Sequence, residues 1–147
     1  MRASNIELRP ATAADDSAIR GLLTAAGLPV ADVDATRQAF IVATADGQTE
    51  GCVGLDIHGA AALLRSLAVR EQRRGVGVGD ALLARARELA AAHGVETLFL
   101  LTTSVSQFFA RRGFITVDRS IVPADLAGSA QFAGLCPTSA TCMMLKL

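Results

Sequence analysis

The hydrophobic residues of the chain follow two spacings, one typical of strands and one typical of helices. Short apolar runs such as AFIVATA (39–45) and TLFLLTT (97–103) predict buried strands. Apolar residues at helical spacing follow Thr12 and again follow Gly77, and they predict two amphipathic helices. The order of these elements predicts one mixed α/β domain over residues 1–147, with six to seven strands and three to four helices.

Turn residues mark the boundaries of these elements. Asp46-Gly47 lies between AFIVATA and GCVGLDI and predicts an antiparallel hairpin over 39–58. Glycines that end the predicted helices are Gly27, Gly94 and Gly113.

The segment from Leu63 to Thr103 has the order strand, glycine-rich loop, helix, strand. A helix that connects two neighbouring strands in this way joins them in parallel. We therefore expect strands 63–69 and 97–103 to be a parallel pair.

Composition narrows the class of partner. The fourteen acidic residues balance the fourteen basic ones, so no overall positive field favours nucleic acid or an anionic membrane, and a small molecule is the expected partner.

The three cysteines form no C-x-x-C pair, so the sequence predicts neither a metal site nor a disulfide framework. This cysteine content fits the cytoplasm. No apolar run approaches the roughly 18 residues of a membrane span, and no targeting segment is recognised.

The stretch RRGVGVGDALL (73–83) places three glycines immediately before the second helix. The first amides of a helix lack partners, and glycines let an anion approach them without Cβ atoms in the way. This pattern predicts a phosphate cradle, with a tight strand-to-helix turn as the alternative. The loop has no lysine of a Walker motif and no acidic residue at the end of the next strand, so neither common nucleotide motif fits.

The stretch LRSLAVREQRRGVGVGDALL resembles the acetyl-coenzyme A (acetyl-CoA) segment of the GCN5-related N-acetyltransferase (GNAT) superfamily. Its signature, [QR]-x-x-G-x-[GA], is matched by Arg74, Gly77 and Gly79. The resemblance implies a mostly antiparallel sheet with a splayed parallel pair, and a backbone N–H of Leu67 that polarises the thioester carbonyl. It also implies a set of residues that bind acetyl-CoA: Leu67, Val69, Arg74, Gly75, Val76, Gly77, Val78, Gly79 and Phe109.

The C-terminal stretch AQFAGLCPTSATCM resembles a GNAT subfamily found with arsenic-resistance genes. A sister group acetylates phosphinic or arsinic amino-acid antibiotics, which by analogy implies a small anionic or amino-acid-like amine as acceptor. The resemblance implies direct acetyl transfer by a protein that could be a homodimer. A non-catalytic acetyl-CoA sensor is the alternative.

The chain contains no tyrosine, and Phe109 stands where many superfamily members have the tyrosine that protonates the leaving thiolate. Ser106, Thr103 or water would then supply this proton, or the thiolate would leave without help from the protein. We select Ser106, one helical turn before Phe109, as the proton donor, although an exposed helix residue or cap is its ordinary role.

The candidate base is a separate pair of residues. Asp56 and His58 share a strand face and could carry a proton out through water, or they could be surface groups.

Two further side chains are candidates for acceptor binding. Arg65 interrupts an apolar strand, so it is either a clamp for a substrate anion or one half of an internal ion pair. Cys136 could bind a trivalent arsenical, although a buried thiol is the more common role.

Overall fold

The computed structural model describes residues 6–33, 38–129 and 139–147, and these ranges form seven strands and four α-helices. The strands are β1 (Glu7–Pro10), β2 (Ala39–Ala45), β3 (Gln48–His58), β4 (Ala61–Val69), β5 (Thr97–Thr102), β6 (Ile115–Thr116) and β7 (Thr141–Lys146). The helices are α1 (Asp16–Ala25), α2 (Val78–Ala92), α3 (Ser106–Ala110) and α4 (Ala124–Ala127). All strands lie in one sheet of order β1-β2-β3-β4-β5-β7-β6, which confirms the predicted fold class.

The predicted hairpin is present, with β2 and β3 antiparallel. Asp46 and Gly47 both have positive φ, 51° and 77°, as a two-residue turn of the type favoured in hairpins requires. The glycines predicted to end helices also have positive φ: Gly27, Gly94 and Gly113.

A charged cluster fixes the start of the first helical segment. The backbone N–H of Thr12 donates to Oδ2 of Asp15 over 2.7 Å, and Arg9 binds both oxygens of the same carboxylate at 2.8 and 2.9 Å. These hydrogen bonds lower the pKa of Asp15 to about 2, and the largest contribution comes from the hydrogen bond that Arg9 donates. The cluster thereby ties β1 to the turn that leads into α1.

The strand pair β4–β5 is parallel, whereas every other neighbouring pair in the sheet is antiparallel. Residues 61–63 pair with 97–99, and the ladder ends there. The predicted strands 63–69 and 97–103 therefore pair only near their starts and separate beyond Leu63. This separation creates the space in which the candidate site lies.

Helices cover both faces of the sheet. On one face α2 buries Val78 and Leu82 against sheet residues such as Val53, whereas α1 buries Ile19 and Leu23 in a separate cluster. A Cβ atom at Gly51 would lie 2.9 Å from Cδ1 of Leu82, so a glycine permits the close approach of β3 and α2. This packing holds α2, and therefore the loop before it, in a fixed position.

The C-terminal elements are short. Of the stretch SVSQFFARR, the residues Ser106–Ala110 form a helix, and in FITVD the residues Ile115–Thr116 pair with β7. One helical turn, α4, follows Pro123, and β7 is the last strand. In the part of the chain described, no helix is long and apolar enough to cross a membrane.

Candidate functional site

A cleft of about 380 Å³ opens where β4 and β5 separate. Its walls are formed by residues 64–69 of β4, by 100–102 at the end of β5, and by side chains around α3, with contributions from Ala26, Leu28, Arg74 and Gly79. Of the predicted site residues, the cleft brings together Arg65, Leu67, Val69, Arg74, Gly79 and Phe109.

A β-bulge shapes the floor of the cleft. Gly54 pairs with Arg65 and Cys52 with Ala68, so Ser66 and Leu67 have no register partners in β3. Ser66 has a φ of 58°, an uncommon value for a residue other than glycine. Such a bulge bends its strand, and bulges are frequent beside active sites. The bend lies at Leu67, the residue that the resemblance assigns to the thioester carbonyl.

The glycine loop joins β4 to the start of α2. Gly75 and Gly77 have φ values of 82° and 92°, so both adopt the left-handed conformation that favours glycine. Gly79 lies in the first turn of α2 and lines the cleft, and a Cβ atom there would lie 3.5 Å from Cζ of Phe108. The side chain of Val78 is buried in the core, so this residue can meet a ligand only through its backbone. Among the predicted loop residues, four do not line the cleft: Gly75, Val76, Gly77 and Val78.

The structure divides the arginines before the glycine loop into two groups. Arg70 and Arg73 form ion pairs with the buried carboxylate of Glu50. Arg74 is exposed, lines the cleft, and donates from Nε to the carbonyl of Val69 over 3.1 Å. Of these three arginines, Arg74 is the one that lines the cleft, and it contacts the backbone of Val69.

Two phenylalanines form the wall opposite β4. The rings of Phe108 and Phe109 meet edge to face with centroids 5.2 Å apart, and Phe109 also packs against Phe114. The guanidinium of Arg112 lies 3.6 Å from the centre of the Phe108 ring and hydrogen-bonds Asp80 in the first turn of α2. This hydrogen bond lowers the pKa of Asp80. The wall is thus tied to the helix that follows the glycine loop.

Two residues with hydroxyl groups lie at and just after the end of β5. Thr102 and Ser104 line the cleft, and Oγ1 of Thr102 accepts a hydrogen bond from the backbone of Val105 over 3.2 Å. Ser106, the predicted proton donor, lies at the start of α3 and is not among the cleft-lining residues. Ser104, by contrast, is an exposed serine among the residues that line the cleft.

Arg65 lies in an internal ion-pair cluster. Its side chain has 0% exposure and binds both oxygens of Asp32, with Nη2 to Oδ1 at 2.6 Å, while Nη1 is 3.3 Å from Oδ2 of Asp56. Its Nε donates to Oγ of Ser66 over 3.1 Å. Burial disfavours the charged form, but the hydrogen bonds that Arg65 donates to Asp32 and the negative charges of Asp32 and Asp56 still raise the pKa of Arg65. Nothing local in the sequence indicated Asp32, because it lies 33 positions before Arg65.

Two of the three cysteines lie in the described part of the chain. Cys136 lies outside the described residues. Cys52 and Cys142 are buried free thiols, and burial raises the pKa of Cys52 to about 12. Neither is a thiolate near neutral pH, so neither has the character of a nucleophile.

Comparison with known proteins identifies the family. The family described as "Acetyltransferase (GNAT) domain" matches residues 36–116, more than half of the chain. The protein belongs to this GNAT family, as the glycine motif indicated.

The curated relatives are longer than this chain. It is 35% identical over 85 residues to an uncharacterized N-acetyltransferase of Chlorobaculum tepidum, covering 57% of this chain and 54% of the relative. It is 34% identical over 86 residues to the amino-acid acetyltransferase of Neisseria meningitidis, covering 57% of this chain and 20% of the relative. The matches thus span about half and about a fifth of these proteins.

Solved structures show the same fold. N-acetylglutamate synthase from Neisseria gonorrhoeae, complexed with coenzyme A and N-acetyl-glutamate, superposes with a TM-score of 0.83 at 24% identity, over 97% of this chain and 35% of that one. Rv2747 from Mycobacterium tuberculosis, solved with CoA and a second ligand, superposes with a TM-score of 0.79 at 25% identity, over 96% of this chain and 99% of that one.

Proposed function

We propose that this chain transfers an acetyl group from acetyl-CoA to the amine of a small amino-acid-like molecule. The observation that carries the proposal is a single cleft that runs beside the bulge at Leu67 and includes Gly79 in the first turn of α2. The names of the relatives, amino-acid acetyltransferase and N-acetylglutamate synthase, support this reaction class.

The residues of the cleft suit the two chemical parts of acetyl-CoA. Apolar side chains such as Leu67, Val69 and Phe108 line the space between the strands and suit a pantetheine arm. Where α2 begins, the absence of a side chain at Gly79 keeps the first turn of the helix open, and Arg74 adds a positive charge. Unpaired amides and a positive helix end favour a pyrophosphate there.

The reaction that fits this arrangement is direct transfer. The lone pair of the acceptor nitrogen attacks the thioester carbon, the C–N bond forms, and the C–S bond breaks with its electrons on sulfur. The described cysteines are buried, and the pKa of Cys52 is about 12, which supports transfer without an acetylated cysteine. Leu67 at the bulge would supply its N–H to the thioester carbonyl, where negative charge develops.

Two proton transfers complete the reaction. An α-amine with a pKa of about 7.7–8.0 is roughly one tenth neutral at pH 7, so its proton can pass to water without a strong base. Asp56 is held by Arg65, so we assign it no catalytic role. We assign proton donation to the thiolate to Ser104, because it is an exposed serine among the residues that line the cleft. Ser106 stays a prediction to be tested against it.

The acceptor is tested by measuring thiol release from acetyl-CoA. The panel contains glutamate, other amino acids, simple amines, amino phosphinates and amino arsonates, the last two because of the arsenic-associated subfamily that the C-terminal stretch resembles. We expect release with α-amino acids that rises with acceptor concentration, and a role in arsenic or antibiotic resistance would further require turnover of the arsonates or phosphinates. Acetyl-CoA binding without release on any acceptor would contradict the enzyme proposal.

One observation favours a second function, that of a non-catalytic acetyl-CoA sensor. Phe109 lines the cleft at the position where many GNAT enzymes have tyrosine, and its ring can donate no proton. A sensor would bind acetyl-CoA as tightly as an enzyme but would leave the thioester intact in every mixture of the panel.

A further inference from the structure

We propose that Glu50 is a positioning residue for acetyl-CoA: it holds the turn Glu71–Arg73 in place and thereby sets the glycine loop that follows. The inference rests on the proposed function, because it concerns how the acetyl donor is bound. Glu50 does not line the cleft, so its effect must pass through the residues it holds.

A bulge in the sheet places Glu50 where it can make these contacts. On β2, Ala43 pairs with Gly51 and Thr44 pairs with Thr49, so Glu50 has no register partner in that strand. An extra residue of this kind bends the strand and redirects its side chain. The carboxylate of Glu50 is buried, with 3% exposure, although glutamate is among the residues rarely buried without a partner.

The partners of Glu50 lie on both sides of the turn. Its two carboxylate oxygens lie 3.3 and 3.1 Å from Nη1 of Arg70, and Oε2 is 3.5 Å from Nε of Arg73. The backbone contributes as well, because the N–H of Arg70 donates to the carbonyl of Glu50 over 2.8 Å. One buried carboxylate therefore binds the residue before the turn and the last residue in it.

Arg73 depends on this carboxylate more than Arg70 does. Arg70 is partly exposed and can be hydrated, whereas the side chain of Arg73 is nine-tenths buried. Nη1 of Arg73 is buried without a hydrogen-bond partner in the described part of the chain. Glu50 is the carboxylate that offsets the buried charge, and a charge left without its partner must move toward water.

A movement of Arg73 would reach the glycine loop directly. Arg74 and Gly75 follow it in the chain, and Arg74 is the cation that lines the cleft. Displacing these residues would change the direction of the amides that precede α2. The glycine loop is therefore positioned by Glu50, a residue of β3 that lies outside the glycine motif.

The test compares Glu50→Gln with Glu71→Gln, which makes the same chemical change at an exposed position in the same turn. We expect Glu50→Gln to raise the KM and the calorimetric Kd of acetyl-CoA at least fivefold, with kcat at saturation within twofold of wild type. Glu71→Gln should bind like wild type. A Glu50→Gln protein that is less heat-stable but binds acetyl-CoA with unchanged affinity would overturn the proposal, since Glu50 would then only support the fold.

A second pair of variants covers the case in which Glu50→Gln does not fold. Arg73→Gln should also raise Kd for acetyl-CoA, and the double variant Glu50→Gln/Arg73→Gln should fold and bind better than the product of the single effects implies. Independent effects of the two substitutions would overturn the proposal. Failure of wild type to bind acetyl-CoA would instead defeat the proposed function, whereas equal binding by wild type and Glu50→Gln would defeat only this inference.

Discussion

Arg65 binds both carboxylate oxygens of Asp32, and the Arg65 side chain is fully buried. The contact joins a strand that lines the cleft to the segment after α1. Asp56 and Ser66 take further donors of the same guanidinium, so little of its hydrogen-bonding capacity is left for an anionic acceptor. This geometry corresponds to the internal ion pair, one of two interpretations that the sequence left open.

The substitution Arg65→Lys distinguishes these interpretations. Lysine keeps the charge but cannot bind a carboxylate through two parallel bonds, so we expect the free energy of unfolding to fall by about 1–3 kcal/mol. We also expect KM to change by the same factor for acidic and neutral acceptors. Urea unfolding and kinetics on both acceptor classes measure these effects.

Arg85→Lys is the matched control, because Arg85 lies on the exposed face of α2 and forms only a weak ion pair with Glu88 at 3.8 Å. It should change neither stability nor KM measurably. A rise in KM confined to acidic acceptors in Arg65→Lys would show that Arg65 binds the substrate anion instead.

Ser104 and Ser106 are the two candidate proton donors, and alanine substitutions distinguish them by their effect on kcat. Ser104→Ala should lower kcat about tenfold, a modest effect because a thiolate with a cysteine-like pKa of about 8.5 is an acceptable leaving group near neutral pH. Ser106→Ala should leave kcat within twofold, since Ser106 is not among the residues that line the cleft. Steady-state kinetics at saturating acetyl-CoA measure both; the reverse order of effects would restore Ser106 as the donor.

The low pKa of Asp15 predicts a pH dependence of stability. Because its pKa in the folded state is about 2, below the ordinary value of about 3.9, the stabilisation is complete above pH 4 and is lost as the pH falls toward 2. Arg9 is 44% exposed and the pair is partly screened, so we expect Asp15→Asn to lower the free energy of unfolding by about 1–2 kcal/mol at pH 6.

Urea unfolding between pH 6 and pH 2 measures this difference. The gap between wild type and Asp15→Asn should shrink as the pH falls. Asp46→Asn, at an exposed turn position whose positive φ asparagine accepts, is the matched control. A gap of constant size down to pH 2 would show that the charge of Asp15 contributes nothing to folding.

Local signals in the sequence were sufficient for much of the fold. Asp46-Gly47 specified the hairpin because only a few residue types accept positive φ at both positions. Gly75 and Gly77, which both have positive φ, marked the loop before α2 for a similar reason. These features depend on neighbours in the chain, so a short window of sequence contains the whole cause.

Features that depend on residues distant in the chain could not be predicted from a short window of sequence. The partner of Arg65 is Asp32, and the partner of Arg73 is Glu50, each more than twenty positions away. The positive φ of Ser66 follows from strand pairing and not from a property of serine. Tertiary contacts decided these points, including which of the arginines before the glycine loop faces the cleft.

The placement of acetyl-CoA in the cleft is tested most directly by its affinity for wild type, Gly79→Val and Gly21→Val. Gly79 has no positive φ, and a Cβ there makes only an ordinary contact with Phe108, so the variant should fold. Gly21 is an exposed glycine of α1 with open space around it, and it controls for the cost of valine in a helix. By calorimetry, we predict tight binding to wild type and Gly21→Val, and at least tenfold weaker binding to folded Gly79→Val; equal affinity in all three would contradict the placement of acetyl-CoA in this cleft.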